Sequence, residues 1–226
     1  MRKHRHILYF TFFLLSIFCF PACETEDYET GDGDLSYMRA DFADIHTSEA
    51  KKVDYVCTDN GDSLLVRPFH DCEWATTPDS IYRALFYYNA KTKSSGTVEA
   101  ISIKQVLALK MLQTSKMKEI HTDPLIFESA WVSPNKKYLN LGLYVKSGKI
   151  EGDDRQTVGM LCDTIYTRDD GRRLFSLRMF HHQNNIPEYY SVRAYASVPL
   201  DSINPGDSIL LNVNTYEGEV VRAFGF

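Results

Sequence analysis

The sequence predicts an all-β protein, a small OB-like five-stranded barrel followed by an antiparallel β-sandwich. Three observations carry that expectation. Tyr and Phe are abundant, 14 and 13 residues in a chain of 226, and both suit a pleated, half-buried surface. Asn60-Gly61 separates two β-rich runs in KKVDYVCTDNGDSLLVRP, a hairpin signal because this pair accepts positive φ. Beyond Thr122-Asp123-Pro124, apolar residues alternate with polar ones at period two, with turn residues between the runs.

The chain opens on a leader, residues 1–22. Arg2, Lys3 and Arg5 form a positive start, residues 7–20 are mostly apolar, and Pro21-Ala22 break the run before Cys23. As a helix, that run would rise about 21 Å, short of the roughly 30 Å hydrocarbon core. The pattern resembles a bacterial lipoprotein signal peptide, which implies that Cys23 is the lipidated first residue of the mature protein. An ordinary secretory signal and an uncleaved signal anchor are the alternatives. Phe20 is bulkier than the aliphatic residue usual at its position, whereas Ala22 fits. Loss of the leader's three cations takes the net charge from −5 to −8. An acidic surface repels phosphate, so neither nucleic acid nor an anionic membrane surface is an expected partner. The expected membrane contact is the N-terminal lipid.

Residues 23–34 (CETEDYETGDGD) are acidic and nearly devoid of apolar side chains, as a solvated tether would be. The run resembles the export signals of surface lipoproteins in Bacteroidota; a flexible spacer is the other reading. The expected compartment is the outer membrane and cell envelope, with the cell surface possible.

Residues 35–120 read as the barrel domain. LSYMRADFADIHT is its first strand, and the Asn60-Gly61 hairpin joins strands two and three. A polar loop spans residues 70–79, SIYRALFYYNA is strand four and TVEAISIKQVLALKM strand five. In that last run Ile101, Ile103, Leu107, Leu109 and Met111 share one face at period two, although Val106, Leu109 and Leu112 would also suit a short helix. Residues 121–226 read as the sandwich. Leu139, Leu141, Leu143 and Val145 line one strand face, with Tyr138, Asn140 and Tyr144 opposite. The same alternation marks Val158, Met160 and Cys162; Phe175, Leu177 and Met179; Tyr190, Val192, Ala194, Ala196 and Val198; and Ile209, Leu211 and Val213. Asp170-Gly171 and Glu217-Gly218 supply turns. One packed and one wet face per sheet is the expectation.

An acidic tether, a barrel carrying VDYVCTDNGDSLLVRP, and a second half with DPLIFESAWVSPNKKYLNLGLYV, RLFSLRMFHHQNN and PLDSINPGDSILLNVNTYEGE together resemble the NigD-like lipoproteins of Bacteroidota. The resemblance spans nearly the whole mature chain. It implies an N-terminal OB-like domain, a C-terminal sandwich and an envelope lipoprotein, and it implies no established activity.

Candidate chemistry is sparse. His181-His182 on a strand would point to opposite faces and could not readily chelate one ion. His70-Asp71-Cys72-Glu73 is dense, but no second ligand pair recurs at a zinc-site spacing. Asp153-Asp154 and Asp169-Asp170 sit in turn-like segments where Asp bonds its own backbone. No nucleophile elbow or phosphate loop occurs. If Cys23 is lipidated, Cys57, Cys72 and Cys162 remain, allowing at most one bridge, Cys57–Cys72, with buried apolar cysteines as the other reading. Lys104, Lys110, Lys116 and Lys118 form a basic stretch read as a solvated face. Tyr82, Phe86, Tyr87, Tyr88, Tyr189, Tyr190 and Tyr195 offer stacking surface, or simply packing. The expected protein is therefore no enzyme, with Cys23 as its one assigned residue (lipidation) and no catalytic, metal or cofactor-binding residue. Its expected role is binding or assembly with a protein or glycan. Envelope protection of the bacteriocin-immunity type and a hydrolase with an unrecognised site are the alternatives.

Overall fold

The computed structural model describes residues 34–149 and 154–226. Cys23, the leader, residues 24–33 of the tether and Asp153 lie outside the described residues. After a short 3-10 turn at Asp34–Tyr37 come five strands: β1 (Met38–Glu49), β2 (Lys52–Thr58), β3 (Ser63–Asp71), β4 (Ser80–Asn89) and β5 (Thr97–Gln105). They close into a barrel in the order β1-β2-β3-β5-β4, so no barrel edge is left to pair with another chain. The barrel core contains Ile45, Val56, Val66, Phe86, Tyr88 and Val98.

The β2–β3 hairpin forms, but its turn is set one residue earlier than the Asn60-Gly61 signal predicts. The N–H of Gly61 donates to the Thr58 carbonyl at 2.9 Å, which makes Asp59 and Asn60 the central pair. Only Gly61, at φ 90°, takes the left-handed region. This placement aims Asp59 inward rather than into solvent.

The run expected to be one fifth strand is shared among three sheets. β5 ends at Gln105. Then β6 (Leu107–Ala108) pairs parallel with β12 (Tyr190–Pro199), and β7 (Met111–Gln113) pairs parallel with β10 (Thr157–Thr167). The expected single face does not persist: Ile101 and Leu107 are exposed while Val106 and Leu109 are buried, because a register shift in the β4–β5 pairing and the changes of sheet reset which side faces a core. The partner changes along the run, which side-chain spacing does not encode.

The sandwich is completed by β8 (Ile126–Val132), β9 (Tyr138–Ser147), β11 (Arg173–His182), β13 (Ser208–Thr215) and β14 (Gly218–Gly225). Its sheets run β14-β13-β11-β10-β7 and β6-β12-β9-β8. Hairpin neighbours are antiparallel, while β11–β13, β10–β7 and β12–β6 are parallel. Leu139, Leu141, Leu143, Met160, Leu177, Met179, Val198, Ile209 and Leu211 fill the space between them, as the alternation predicts.

The outer face of β9 and β12 departs from the expected wet surface. Asn140 and Ser197 are both 0% exposed, because the barrel packs over them. Arg83 of β4 projects across this contact. Its Nη2 donates to Asp59 Oδ2 at 2.6 Å and to Asn140 Oδ1 at 3.1 Å, its Nε to Ser197 Oγ at 3.0 Å, and its Nη1 to Asp44 Oδ1 at 3.2 Å. Asn140 Nδ2 donates to Asp59 Oδ2 at 2.9 Å, and Ser197 Oγ to Asn140 Oδ1 at 2.7 Å. The guanidinium lies 3.9 Å from the Tyr138 ring centroid, and burial, with the Asp44 carboxylate beside it, pushes the Tyr138 phenol up to about 12. Phe42 of β1 adds edge-to-face contacts with Trp131 at 5.2 Å and Tyr195 at 5.4 Å.

Removing one partner of a buried ion pair strands the other's charge, so Arg83→Ala should lower unfolding stability by about 3–5 kcal/mol, read as a lower denaturant midpoint. At the entry to β13, Asp207 accepts Arg173 Nε at 3.0 Å and Nη2 at 2.6 Å, and the backbone N–H groups of Arg173 and Asn204 at 2.8 and 2.9 Å. The Arg173 hydrogen bonds hold its carboxyl down at about 2, below the roughly 3.9 of a free aspartate. A lowered folded value gives stability that is present above about pH 4 and lost as the pH falls towards 2. Denaturation midpoints across that window should show this slope in the wild type and a flatter one in Asp207→Asn.

Candidate functional site

A group of accessible polar side chains lies at the end of the sandwich remote from Arg83. Three segments build this end: residues 121–126 leading into β8, the loop 183–189 between β11 and β12, and the β13–β14 turn. Thr122 makes a parallel bridge to His181, and Leu125 one to Thr215. The His181 N–H donates to the His121 carbonyl at 3.1 Å and the Asp123 N–H to the His181 carbonyl at 2.9 Å. Side chains alternate on extended backbone, so His121 and Asp123 emerge on one side, together with His182, and opposite Thr122 and His181.

The outcome is a cluster. The His121 and His182 rings stack with centroids 3.8 Å apart and planes 11° apart, and His121 meets the Phe180 edge at 5.9 Å. One potential ligand atom from each of His121, Asp123 and His182 lies within 4.8 Å of the others. Asp123 is fixed by the Gln183 N–H, which donates to Oδ2 at 2.7 Å. Gln183 in turn donates from Nε2 to the carbonyls of Lys146, at 3.0 Å, and Ile186, at 2.9 Å. Asn184 and Asn185 both take positive φ, 51° and 58°, a conformation Asn tolerates better than most residues. The cluster borders an open, polar cleft of about 510 Å³ that also reaches Pro124 and Glu188.

A smaller cleft of about 240 Å³ lies beside it, lined by Ile126, Phe127, Tyr216 and Val220 among others. Tyr216 and Glu188 stand between the two, Tyr216 Oη donating to Glu188 Oε2 at 3.0 Å. Burial and the Glu188 carboxylate push the Tyr216 phenol up to about 12. Lys146 reaches the Tyr216 ring at 4.3 Å and Glu188 at 3.6 Å. Tyr189 is 80% exposed and Tyr190 56%. Tyr190 and Val192 share the face of Ala196 and Val198 along β12, yet remain exposed at the strand's first residues, where the core contacts have run out.

The other residues singled out by sequence are dispersed. His181 is buried, its Nδ1 3.0 Å from the Asp123 carbonyl oxygen and its Nε2 without a partner, so the two adjacent histidines do face apart. In the His70-Asp71-Cys72-Glu73 stretch, Asp71 pairs with Lys52 and Glu73 with Lys51 at the surface, while Cys72 enters the barrel core. Burial pushes the Cys72 thiol up to about 11, and Cys57, Cys72 and Cys162 are free thiols. Phe86 and Tyr88 stack at 4.9 Å inside the barrel. Tyr82 packs on Trp74, Tyr195 packs on Phe42, and Tyr87 lies 5.4 Å from Lys104 Nζ. Lys104, Lys110, Lys116 and Lys118 are exposed. Asp170 takes the Arg172 N–H at 3.0 Å, as a turn residue does.

His121 and Asp123 were not legible as site residues. The spacing His121-Thr122-Asp123 puts two ligand types on one face of an extended segment, but the partner His182 lies some sixty positions on. The Thr122–His181 bridge brings them together.

Residues 108–224 match the family model of the NigD-like C-terminal beta sandwich domain. Among solved structures, the chain is similar to a NigD-like immunity protein from Bacteroides caccae, with 21% identity over 83% of this chain and 91% of that one and a TM-score of 0.61. It is also similar to a protein of unknown function from Bacteroides vulgatus, with 18% identity over 84% and 90% and a TM-score of 0.63. A third, named "putative lipoprotein", is from Bacteroides fragilis, with 11% identity over 83% and 96% and a TM-score of 0.55. At these identities the likeness carries the fold alone. No curated protein matches the chain.

Proposed function

From the premise that this chain belongs to the family of the NigD-like C-terminal β-sandwich domain, we propose that it is a lipid-anchored envelope protein that recognises a protein or glycan partner without catalysing a reaction. The recognising surface is the end of the sandwich around residues 183–190. The observation that carries this reading is the exposure of Tyr189 and Tyr190 beside two clefts, when Tyr82, Phe86, Tyr88 and Tyr195 are engaged in packing. A tyrosine held on a rigid strand end offers flat apolar area and a polar tip at little conformational cost, which suits both a sugar face and a protein pocket. Loops on a fixed sandwich scaffold are the usual carriers of such recognition.

Attachment rests on Cys23 after the leader and the acidic run behind it. The name of the Bacteroides fragilis neighbour supports this reading. Among the described residues, no helix is long and apolar enough to cross a membrane.

A second reading, protection of the envelope against a secreted toxin, is favoured by the name of the Bacteroides caccae neighbour. Recognition of a toxin would use the same exposed end, so the two readings differ in partner rather than in surface.

Metabolic labelling with an alkyne fatty acid should mark the wild type and leave Cys23→Ala unmarked and out of the membrane fraction. Label retained by Cys23→Ala would remove the anchor. For recognition, a photo-crosslinking residue at Tyr189 should give a discrete adduct in cells, or the full chain should bind defined sugars on a glycan array, while the same residue at Tyr166 on β10 gives no adduct. Tyr189→Ala with Tyr190→Ala should abolish either signal. Silence in both assays, or equal adducts from both positions, would overturn the recognition surface. A deletion strain that becomes sensitive to toxin-bearing supernatant from neighbouring strains, rescued by the wild type but not by the double variant, would select the protective role.

A further inference from the structure

We propose that His121, Asp123 and His182 form a binding site for one divalent transition-metal ion of the Zn2+ class, with solvent from the adjoining cleft completing the coordination. This inference does not need the recognition reading: it concerns an ion, and its ligands are other residues.

The donor set is the first argument. Two imidazoles and one carboxylate favour ions of borderline softness and are a poor set for Ca2+ or Mg2+, which take oxygen donors. Three protein ligands with an open position is the arrangement of zinc sites that exchange solvent. The three residues are also placed together. Potential ligand atoms of all three residues already lie within 4.8 Å of one another, on backbone fixed by the Thr122–His181 bridge. Asp123 is oriented by the Gln183 N–H on Oδ2, which leaves its other oxygen for an ion. Glu119 Oε2 lies 3.4 Å from His121 Nε2, which places a further carboxylate beside one imidazole.

The geometry states what binding requires. Rings stacked 3.8 Å apart and 11° from parallel direct their lone pairs side by side rather than at a common point. An ion must lie near the plane of each ring, so one ring swings out of the stack as the ion enters. Both rings are only half-buried and border open space, so this motion needs a side-chain rotation and no change in the sheets. The sequence argument that adjacent His181 and His182 cannot share an ion holds, because the second imidazole comes from a segment paired alongside.

The test is titration of the tag-free full chain with Zn2+ by calorimetry and with Co2+ by visible absorption. The leader histidines His4 and His6 are common to every variant and cancel in the comparison. The expected result is one ion per chain attributable to this site, a Co2+ spectrum of low coordination number, and at least tenfold weaker binding in His121→Ala, His182→Ala and Asp123→Asn, with His70→Ala unchanged. Zn2+ should raise the melting temperature of the wild type and of His70→Ala but not of His182→Ala. His182→Gln, which keeps a polar side chain at this half-buried position, should behave as His182→Ala and show an unchanged far-UV spectrum, separating lost ligation from lost fold. Absence of binding to the wild type, or binding that survives loss of both His121 and His182, would overturn the site.

Discussion

The Arg83 guanidinium is the group on which the arrangement of this molecule depends. Its side chain is 2% exposed, and a buried cation is tolerated only when carboxylates and further acceptors surround it. The barrel provides Asp44 and Asp59; the sandwich provides Asn140 and Ser197. Three of the four also bind one another. Asn140 donates to the carboxylate that Arg83 binds and accepts from Ser197, so the network joins β4 to β9 and β12 through every hydrogen-bonding atom of its central amide. A buried polar contact of this kind fixes orientation more than it adds stability. Here it selects which face of the sandwich the barrel covers.

That selection decides what is left for recognition. β12 begins at Tyr190 and reaches Ser197 seven residues later, about 23 Å along an extended strand. One end of this strand is pinned under the barrel, and the other carries exposed Tyr190 and Val192. The same strand thus holds the architecture and presents the candidate surface. Its neighbour β9 behaves alike, with Asn140 buried at the barrel contact and Lys146 reaching Tyr216 and Glu188 at the far end. A partner at the far end meets loops tied to strands that the barrel holds rigid.

Much of this was legible in the residues, and the illegible part has a physical cause. Alternation at Leu139, Leu141 and Leu143, or at Phe175, Leu177 and Met179, reports burial on one face directly, because side chains on a strand have period two. The run from Thr97 to Gln113 serves three sheets, and its buried residues Val98, Val106 and Leu109 fall out of a single period-two phase, since apolar spacing does not record which sheet each piece joins. Asn140 failed for a related reason. A polar residue opposite a core face reads as solvent-facing, and only the arrival of Arg83 from 57 positions away makes it an interior one. The turn expected at Asn60-Gly61 begins a residue early, with Asp59 in its central pair, and so delivers the Asp59 carboxylate to the interface. At the candidate site, His182 stood out beside His181, whereas His121 and Asp123 did not. Their meaning comes from one bridge between distant segments.

The wall between the two clefts is fixed by chemistry rather than by packing alone. With the Tyr216 phenol pushed up to about 12, it stays protonated across any physiological range and so always has a proton to donate to Glu188. Lys146 adds its charge to the same carboxylate and its contact to the same ring. Three side chains from β9, the loop before β12 and the β13–β14 turn therefore hold one another, and rotation of any one would break the contacts it makes with the others. The polar cleft beside His121 and the more apolar one beside Ile126 consequently remain separate chambers with distinct chemistry. A partner spanning this end would meet a polar, histidine-lined cleft and a mixed one lined by Ile126, Phe127, Tyr216 and Val220. Fitting both is a stricter requirement than exposed tyrosines alone would impose.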